Sequence, residues 1–377
     1  MSRRLRVGVL FGGRSVEHEV SLISARSVME AIDPDRFEVV PIGITRAGRW
    51  LPPAPGRDPL ALLAGAARNA LPGGEPPAVP AGLPGWGVSQ SATGAPAAPA
   101  KVDVVFPLVH GIFGEDGTMQ GLLEIAGLPY VGSGVLGSAL GMDKDVARTL
   151  FAAAGLPIVP AVCIRAPEWA HDPAGAMSRA LAVTGLPCFV KPAGSGSSVG
   201  VSKVRDAAGL APAITYALRY DRKALVERGV DAREIEIAVL GNDAPEASVP
   251  GEIVPCREFY DYEAKYLAES ELIVPAAIPP ATLGEMRRIA LAAFRALDLA
   301  GMARVDFFLD RKSGALYLNE VNTIPGFTPV SMYPRLWEAT GVPYRALISR
   351  LIDLALERHA ARAALETSFS PARAEAR

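Results

Sequence analysis

KPAGSGSSVG, residues 191–200, is the stretch on which the fold turns. In a Walker A loop the lysine and the hydroxyl residue follow the glycines at the mouth of a helix. Here Lys191 comes first and Val201 continues an apolar run. That order excludes a Walker A loop. It leaves a glycine- and serine-rich loop next to a short strand, with its cation on the strand.

Upstream of the loop, DKDVARTLFAAAG (143–155) has helical spacing, and strands are predicted near 158–164 and 187–191. Downstream, EIEIAVL (234–240), RVDFFLD (304–310) and ALYLNEV (315–321) read as strands. The last helix is YRALISRLIDLALERHAARAALE, followed by the tail SFSPARAEAR. The N-terminal part is a β-α-β unit: RVGVLF (6–11), a helix from Val16 with Val20, Ile23, Val28 and Ile32 on one face, then FEVVPIGI (37–44). From Pro52 to Ala100 the chain holds eleven of its 33 prolines with no sustained apolar period, which reads as a surface insertion with a short hairpin at LPGWGVSQ. VDVVFPLVH (102–110) then resumes the sheet.

A chain of 377 residues suits two or three domains. The 38 Lys and Arg against 40 Asp and Glu offer no basic excess for nucleic acid. Cys163, Cys188 and Cys256 are odd in number and never in a Cys-x-x-Cys pair, which points to buried apolar thiols rather than disulfides or zinc. The apolar run after the N-terminal arginines is too short for a signal peptide, and no run of about 18 apolar residues exists for a membrane span. These features read as a cytoplasmic protein.

RVDFFLDRKSGALYLNEVN (304–322) carries the densest chemistry. Arg304 and Asp306 are two apart, as are Glu320 and Asn322, so each pair projects from one side of its strand. If the sides coincide, three oxygen ligands meet beside a guanidinium, a set suited to Mg²⁺ holding a nucleotide's phosphates. A hairpin with solvated outer charges fits the same spacing. HGIFGEDGTMQG (110–121) follows a buried strand, where α/β sheets bind ligands. EFYDYEAKY (258–266) would bury three charges badly as a core strand and reads as a loop that closes over something.

The ordered set SVEHEVS (15–21), HGIFGEDGTMQG, GMDK (141–144), KPAGSGSSVGVSKV, EFYDYEAKY, RVDFFLD and NEVNTIPGFTPVSMYP (319–334) resembles the D-alanine–D-alanine ligases of the ATP-grasp superfamily. The resemblance implies an α/β fold of three domains: a Rossmann-like N-terminal domain at 1–132 carrying the insertion at 52–100, a central ATP-grasp subdomain at 133–227 with a phosphate lid, and a C-terminal one at 228–365 with the metal and substrate sites, before a tail at 366–377. It implies a homodimer that uses ATP and two Mg²⁺, with Mn²⁺ able to substitute, and that acts on D-alanine. Asp306, Glu320 and Asn322 match the metal ligands. Lys144, Lys191, Ser198 and Lys265 match the phosphate contacts, and Glu227, Arg228, Val230 and Glu234 the contacts to base and ribose. Arg228 stands where a lysine is common. Arg304 and the Gly326 N–H match an oxyanion-stabilising pair. Glu17 matches the carboxylate that receives the first substrate's ammonium, Ser197 and Tyr266 the hydroxyls bonded to it, and Ser331 with the backbone near Met332 the seat of the second carboxylate. His110 falls near the first substrate, in a structural or a catalytic role.

A D-alanine–D-lactate ligase shares this fold, but EFYDYEAKY with Tyr266 is the form expected of dipeptide makers. A catalytically silent nucleotide binder needs no oxyanion arginine. GVLFGG is not G-x-G-x-x-G, and no acid ends the second strand, so a dehydrogenase is excluded.

Overall fold

The computed structural model describes residues 3–51, 102–196, 199–254 and 271–366. The proline-rich insertion with LPGWGVSQ, Ser197 and Ser198, Cys256, EFYDYEAKY with Lys265 and Tyr266, and the tail from 367 lie outside them. The first sheet is built from β1 (Leu5–Gly12), β2 (Phe37–Ile44) and β3 (Val104–Pro107), with α1 (His18–Ala31) crossing between β1 and β2. The order is β2-β1-β3, all parallel, with Val7 opposite both Val39 and Val104. Both faces are covered, which is why these strands read as unbroken apolar runs.

The buried face of α1 differs from the sequence expectation. Ile23 is exposed and Val20 half-buried, while Ser21, Leu22, Ser24, Ala25 and Val28 face inward. The serines are tolerated because they are bonded. Ser21 Oγ accepts the Gly12 N–H at 2.7 Å and donates to Leu108 O at 2.5 Å. Short hydroxyl side chains let the helix lie close to the sheet and serve backbone groups that an apolar residue would leave unpaired, at about 1–3 kcal/mol each.

A second, antiparallel sheet runs β10-β9-β8-β11-β12. Its strands are β8 (Ala232–Gly241), β9 (Glu246–Val254), β10 (Glu271–Ile273), β11 (Gly301–Asp310) and β12 (Leu316–Asn322). The odd-numbered side chains of β8 and β11, Ile235, Ile237, Val239, Val305 and Phe307, pack under the helix Pro280–Ala296 and against Ala147 and Phe151 of the helix Lys144–Ala153. Fully burying a residue of this size contributes about 1.5–3 kcal/mol. On the even-numbered face, Ala238, Leu240 and Met302 meet the helices Met332–Thr340 and Tyr344–Ala363, and the second of these also packs on β3 of the first sheet. The other end of that face, at residues 234–236 and 304–308, is left for the site.

The third sheet has the order β4-β7-β5-β6, from β4 (Ala161–Arg165), β5 (Cys188–Pro192), β6 (Ser202–Val204) and β7 (Lys223–Arg228). Val162, Ile164, Cys188, Val190, Ala224 and Val226 bury one face under the helices Pro173–Thr184 and Leu210–Ala217. The alternate residues Phe189, Lys191 and Glu227 face the second sheet.

Candidate active site

Between the second and third sheets lies a cleft of about 910 Å³. Its floor follows from register. Arg304 is opposite Asn322 and Ala238, and Asp306 is opposite Glu320 and Glu236. Glu236, Asp306 and Glu320 therefore form one row of carboxylates across three strands. Like charges directly opposite repel, so the row needs cations. Arg304 forks onto Asp306 with two bonds of 2.8 Å and lies 3.1 Å from Glu236 Oε2. The Lys144 ammonium is 3.0 Å from Glu320 Oε2. Burial opposes the charge of Arg304, but Asp306, Glu236 and Glu320 outweigh it and hold the guanidinium well above its ordinary pKa. Three carboxylates against these two cations leave a formal −1 on the floor.

That donor set fits a hard divalent cation: carboxylate oxygens of Asp306 and Glu320 side by side, and the Asn322 amide two residues along β12. Among the described residues no three His, Cys, Asp or Glu cluster as a metal site. The set here is two carboxylates with an amide, its geometry coming from strand pairing. The Asn322 Oδ1 accepts the Ile324 N–H at 3.0 Å, which fixes its direction.

A register shift after Asp306 alters β12. Glu320 pairs with Asp306 but Leu318 with Phe307, so Asn319 is an extra residue. Leu318 and Val321 both stay in the core, three apart, and Asn319 turns into the cleft, where the Lys191 ammonium is 3.5 Å from its Oδ1. Lys191 also lies 3.2 Å from Glu227 Oε1. The other Glu227 oxygen bonds Arg148 at 2.8 Å, and Arg148 also donates to Val159 O. Arg148 is one turn beyond Lys144 on the same helix and holds Glu227 without itself lining the cleft.

The glycine- and serine-rich loop after Pro192 leaves β5 at the rim. Ala193 is fully buried, the Gly194 N–H donates to Asp221 Oδ2 at 2.6 Å, and the Lys144 ammonium donates to Ser195 O at 2.8 Å. Beside the loop, with Glu115 Oε2 4.0 Å from where a Gly196 Cβ would stand, sits a second group of residues. Gly111 has φ +74°, and a Cβ there would lie 2.7 Å from Glu17 Oε2 and 2.6 Å from Ser15 Oγ, so only glycine permits this approach. His110 is buried. Its Nδ1 is 3.0 Å from Ile324 O and 3.6 Å from Glu115 Oε1, and its Nε2 is 3.2 Å from Ser24 Oγ, which accepts the Phe327 N–H at 3.3 Å. Burial works against the imidazolium, yet Glu115 and Glu17 raise the His110 pKa. Burial, then Glu17, raises that of Glu115. The turn after β12 brings Gly326 against Ser331, whose Oγ accepts the Thr328 N–H at 3.1 Å.

Two family models match the chain. Residues 6–133 match the family model described as the D-ala D-ala ligase N-terminus, and residues 150–353 the one for the D-ala D-ala ligase C-terminus. The chain belongs to the D-alanine–D-alanine ligase family. The D-alanine–D-alanine ligase of Geobacillus thermodenitrificans is 50% identical over 357 residues, covering 94% of this chain and 96% of that one. That of Heliobacterium modesticaldum is 48% identical over 364 residues, covering 94% and 95%. Among solved structures, the D-alanine–D-alanine ligase from Coxiella burnetii superposes with TM-score 0.78 at 33% identity over 96% of this chain and 97% of its own. The VanG D-Ala:D-Ser ligase from Enterococcus faecalis gives 0.79 at 36% identity over 94% and 100%. The ligase has the ATP-grasp fold expected from sequence.

Of the residues singled out in sequence, the cleft of this ligase is lined by Lys144, Lys191, Glu227, Arg228, Val230, Glu234, Arg304, Asp306 and Glu320. Asn322 adjoins it in register with Arg304. Glu17, Gly326 and Ser331 do not line it and belong to the group around His110 and the turn after β12. Ser197, Ser198, Lys265 and Tyr266 lie outside the described residues. The sequence reading missed Glu236, Asn319, Arg148 and Phe189. The spacing of Glu234 and Glu236 could have found the first. Among the described residues no helix is long and apolar enough to cross a membrane.

Proposed function

We propose that this chain joins two D-alanines to D-alanyl-D-alanine at the expense of ATP, giving ADP and inorganic phosphate and supplying the dipeptide for peptidoglycan. The observation that carries the reading is the row Glu236, Asp306 and Glu320 with Arg304 and Lys144 on it, under a cleft roofed by Lys191. A carboxylate attacking a γ-phosphate brings two anions together, so catalysis needs cations around the meeting point. Lys144 and Lys191 supply them from opposite walls, with Lys265 and Ser198 added from the segments that the family resemblance assigns. Asp306, Glu320 and Asn322 would hold Mg²⁺, two ions in all and replaceable by Mn²⁺, which would supply further positive charge for the phosphates. Glu227, Arg228, Val230 and Glu234 line the far end for base and ribose, beside the Phe189 ring.

The first D-alanine is held by its ammonium on Glu17, with Ser197 and Tyr266 closing on the same carboxylate. Its carboxylate oxygen takes the γ-phosphoryl group and ADP leaves. The amine of the second D-alanine, seated by its carboxylate on Ser331 and the backbone near Met332, attacks the acyl carbon. The carbon–oxygen bond to phosphate then breaks and the amine loses a proton. Arg304 and the Gly326 N–H stabilise the oxyanion between those two events. The working unit is a cytoplasmic homodimer.

The test incubates purified protein with ATP, Mg²⁺ and D-alanine, alone and with D-lactate or D-serine in competition, and separates the products. D-alanyl-D-alanine in step with ADP and phosphate is expected, with little turnover of L-alanine. Release of AMP and pyrophosphate, independence from D-alanine, or a depsipeptide as the main product would overturn the reading.

A further inference from the structure

Lys223, the first residue of β7, is 2% exposed and does not line the cleft. Its ammonium is 2.6 and 2.5 Å from the two carboxylate oxygens of Asp143 and 3.2 Å from Asp145 Oδ2. An ammonium has three N–H donors, and these three contacts match them in number. The two acids flank Lys144 in sequence. Asp143 is also the N-cap of the helix that Lys144 begins, accepting the Val146 N–H at 3.2 Å.

Successive residues entering a helix point in directions roughly 100° apart. With both neighbours of Lys144 turned onto Lys223, its own side chain is directed to the other side. There its ammonium reaches Glu320 Oε2 at 3.0 Å and Ser195 O at 2.8 Å. The backbone repeats the linkage: the Lys144 N–H donates to Ala193 O at 3.0 Å, and the Ala193 N–H to Lys223 O at 3.1 Å. We propose that Lys223 is a positioning residue that aims Lys144 at the phosphate end of the cleft by gripping Asp143 and Asp145. The inference rests on the reading of Lys144 as a phosphate contact.

A double-mutant cycle in the full-length protein tests it, with ATP KM, kcat and the melting temperature read for Lys144→Met, Lys223→Met, both together, and Lys223→Arg. Lys144→Met raises the ATP KM by about 10- to 100-fold, the range for losing bonds to a charged group. Lys223→Met raises it by roughly five- to tenfold, Lys223→Arg recovers part of that, and the double variant is within about twofold of Lys144→Met alone. If Lys223→Met does not fold, Asp145→Asn takes its place in the cycle. Effects that multiply in the double variant, or a lowered melting temperature with ATP KM unchanged, overturn the role of Lys223 and leave the ATP reading standing. A Lys144→Met enzyme with unaltered ATP KM overturns both.

Discussion

On the floor of the cleft, Glu236, Asp306 and Glu320 stand in one row with Arg304 and Lys144 bonded to them. Around His110, by contrast, the carboxylates of Glu17 and Glu115 face one buried imidazole that is also tied to Ile324 O and Ser24. On the floor, three carboxylates are held by two cations, and Asp306, Glu236 and Glu320 keep the Arg304 guanidinium charged despite its burial. In the His110 group, burial sets the cost of charge, so each protonation state depends on its neighbours. On the proposed reading, the floor works on the phosphates of a nucleotide. On the same reading, the other group receives an ammonium-bearing substrate.

The largest effect that separates the two regions is expected for Arg304→Met. As an oxyanion donor it should lower kcat by ~10²–10³ while the ATP KM changes far less, because its charge is needed as the oxyanion develops. Steady-state kinetics with ATP and D-alanine varied separately read both. A much weaker ATP affinity at unchanged kcat makes Arg304 a nucleotide contact and erases the division.

A smaller effect sharpens the other side. The His110 imidazole should titrate above its ordinary value in an NMR pH series, and Glu115→Gln should lower that pKa by more than Glu17→Gln does, since the neighbouring Glu115 carboxylate raises it more than Glu17 does. The folded-state pKa is raised, so the stabilisation from protonated His110 is complete below about pH 6.5 and is lost as pH rises through the folded value. A His110 that titrates below its ordinary value in the wild type contradicts the arrangement.

The sequence showed the floor more clearly than the walls. Arg304 with Asp306, and Glu320 with Asn322, were legible because strand side chains alternate with period two, and the pairing of β11 with β12 set them opposite one another. Asn319 was not legible, since it enters the cleft through a register shift that no local pattern announces. The inner face of α1 was misassigned for a different reason: apolar spacing ranks Ile23 above Ser21 and Ser24, but the hydroxyls are buried because backbone groups need them. Arg148 and Lys223 look like surface charges in sequence. Both are buried because their carboxylate partners come from distant segments, Glu227 for one and Asp143 with Asp145 for the other.

The most direct measurement follows the oxygen that joins the two regions. On the proposed reading, the carboxylate of the first D-alanine, held by its ammonium on one side, attacks phosphorus on the other. D-alanine labelled with ¹⁸O in both carboxylate oxygens is turned over with ATP and Mg²⁺, and the inorganic phosphate is analysed by mass spectrometry. One labelled oxygen per phosphate released, with ADP as the nucleotide product, is the predicted result. Phosphate free of label, with dipeptide still formed, would contradict the account.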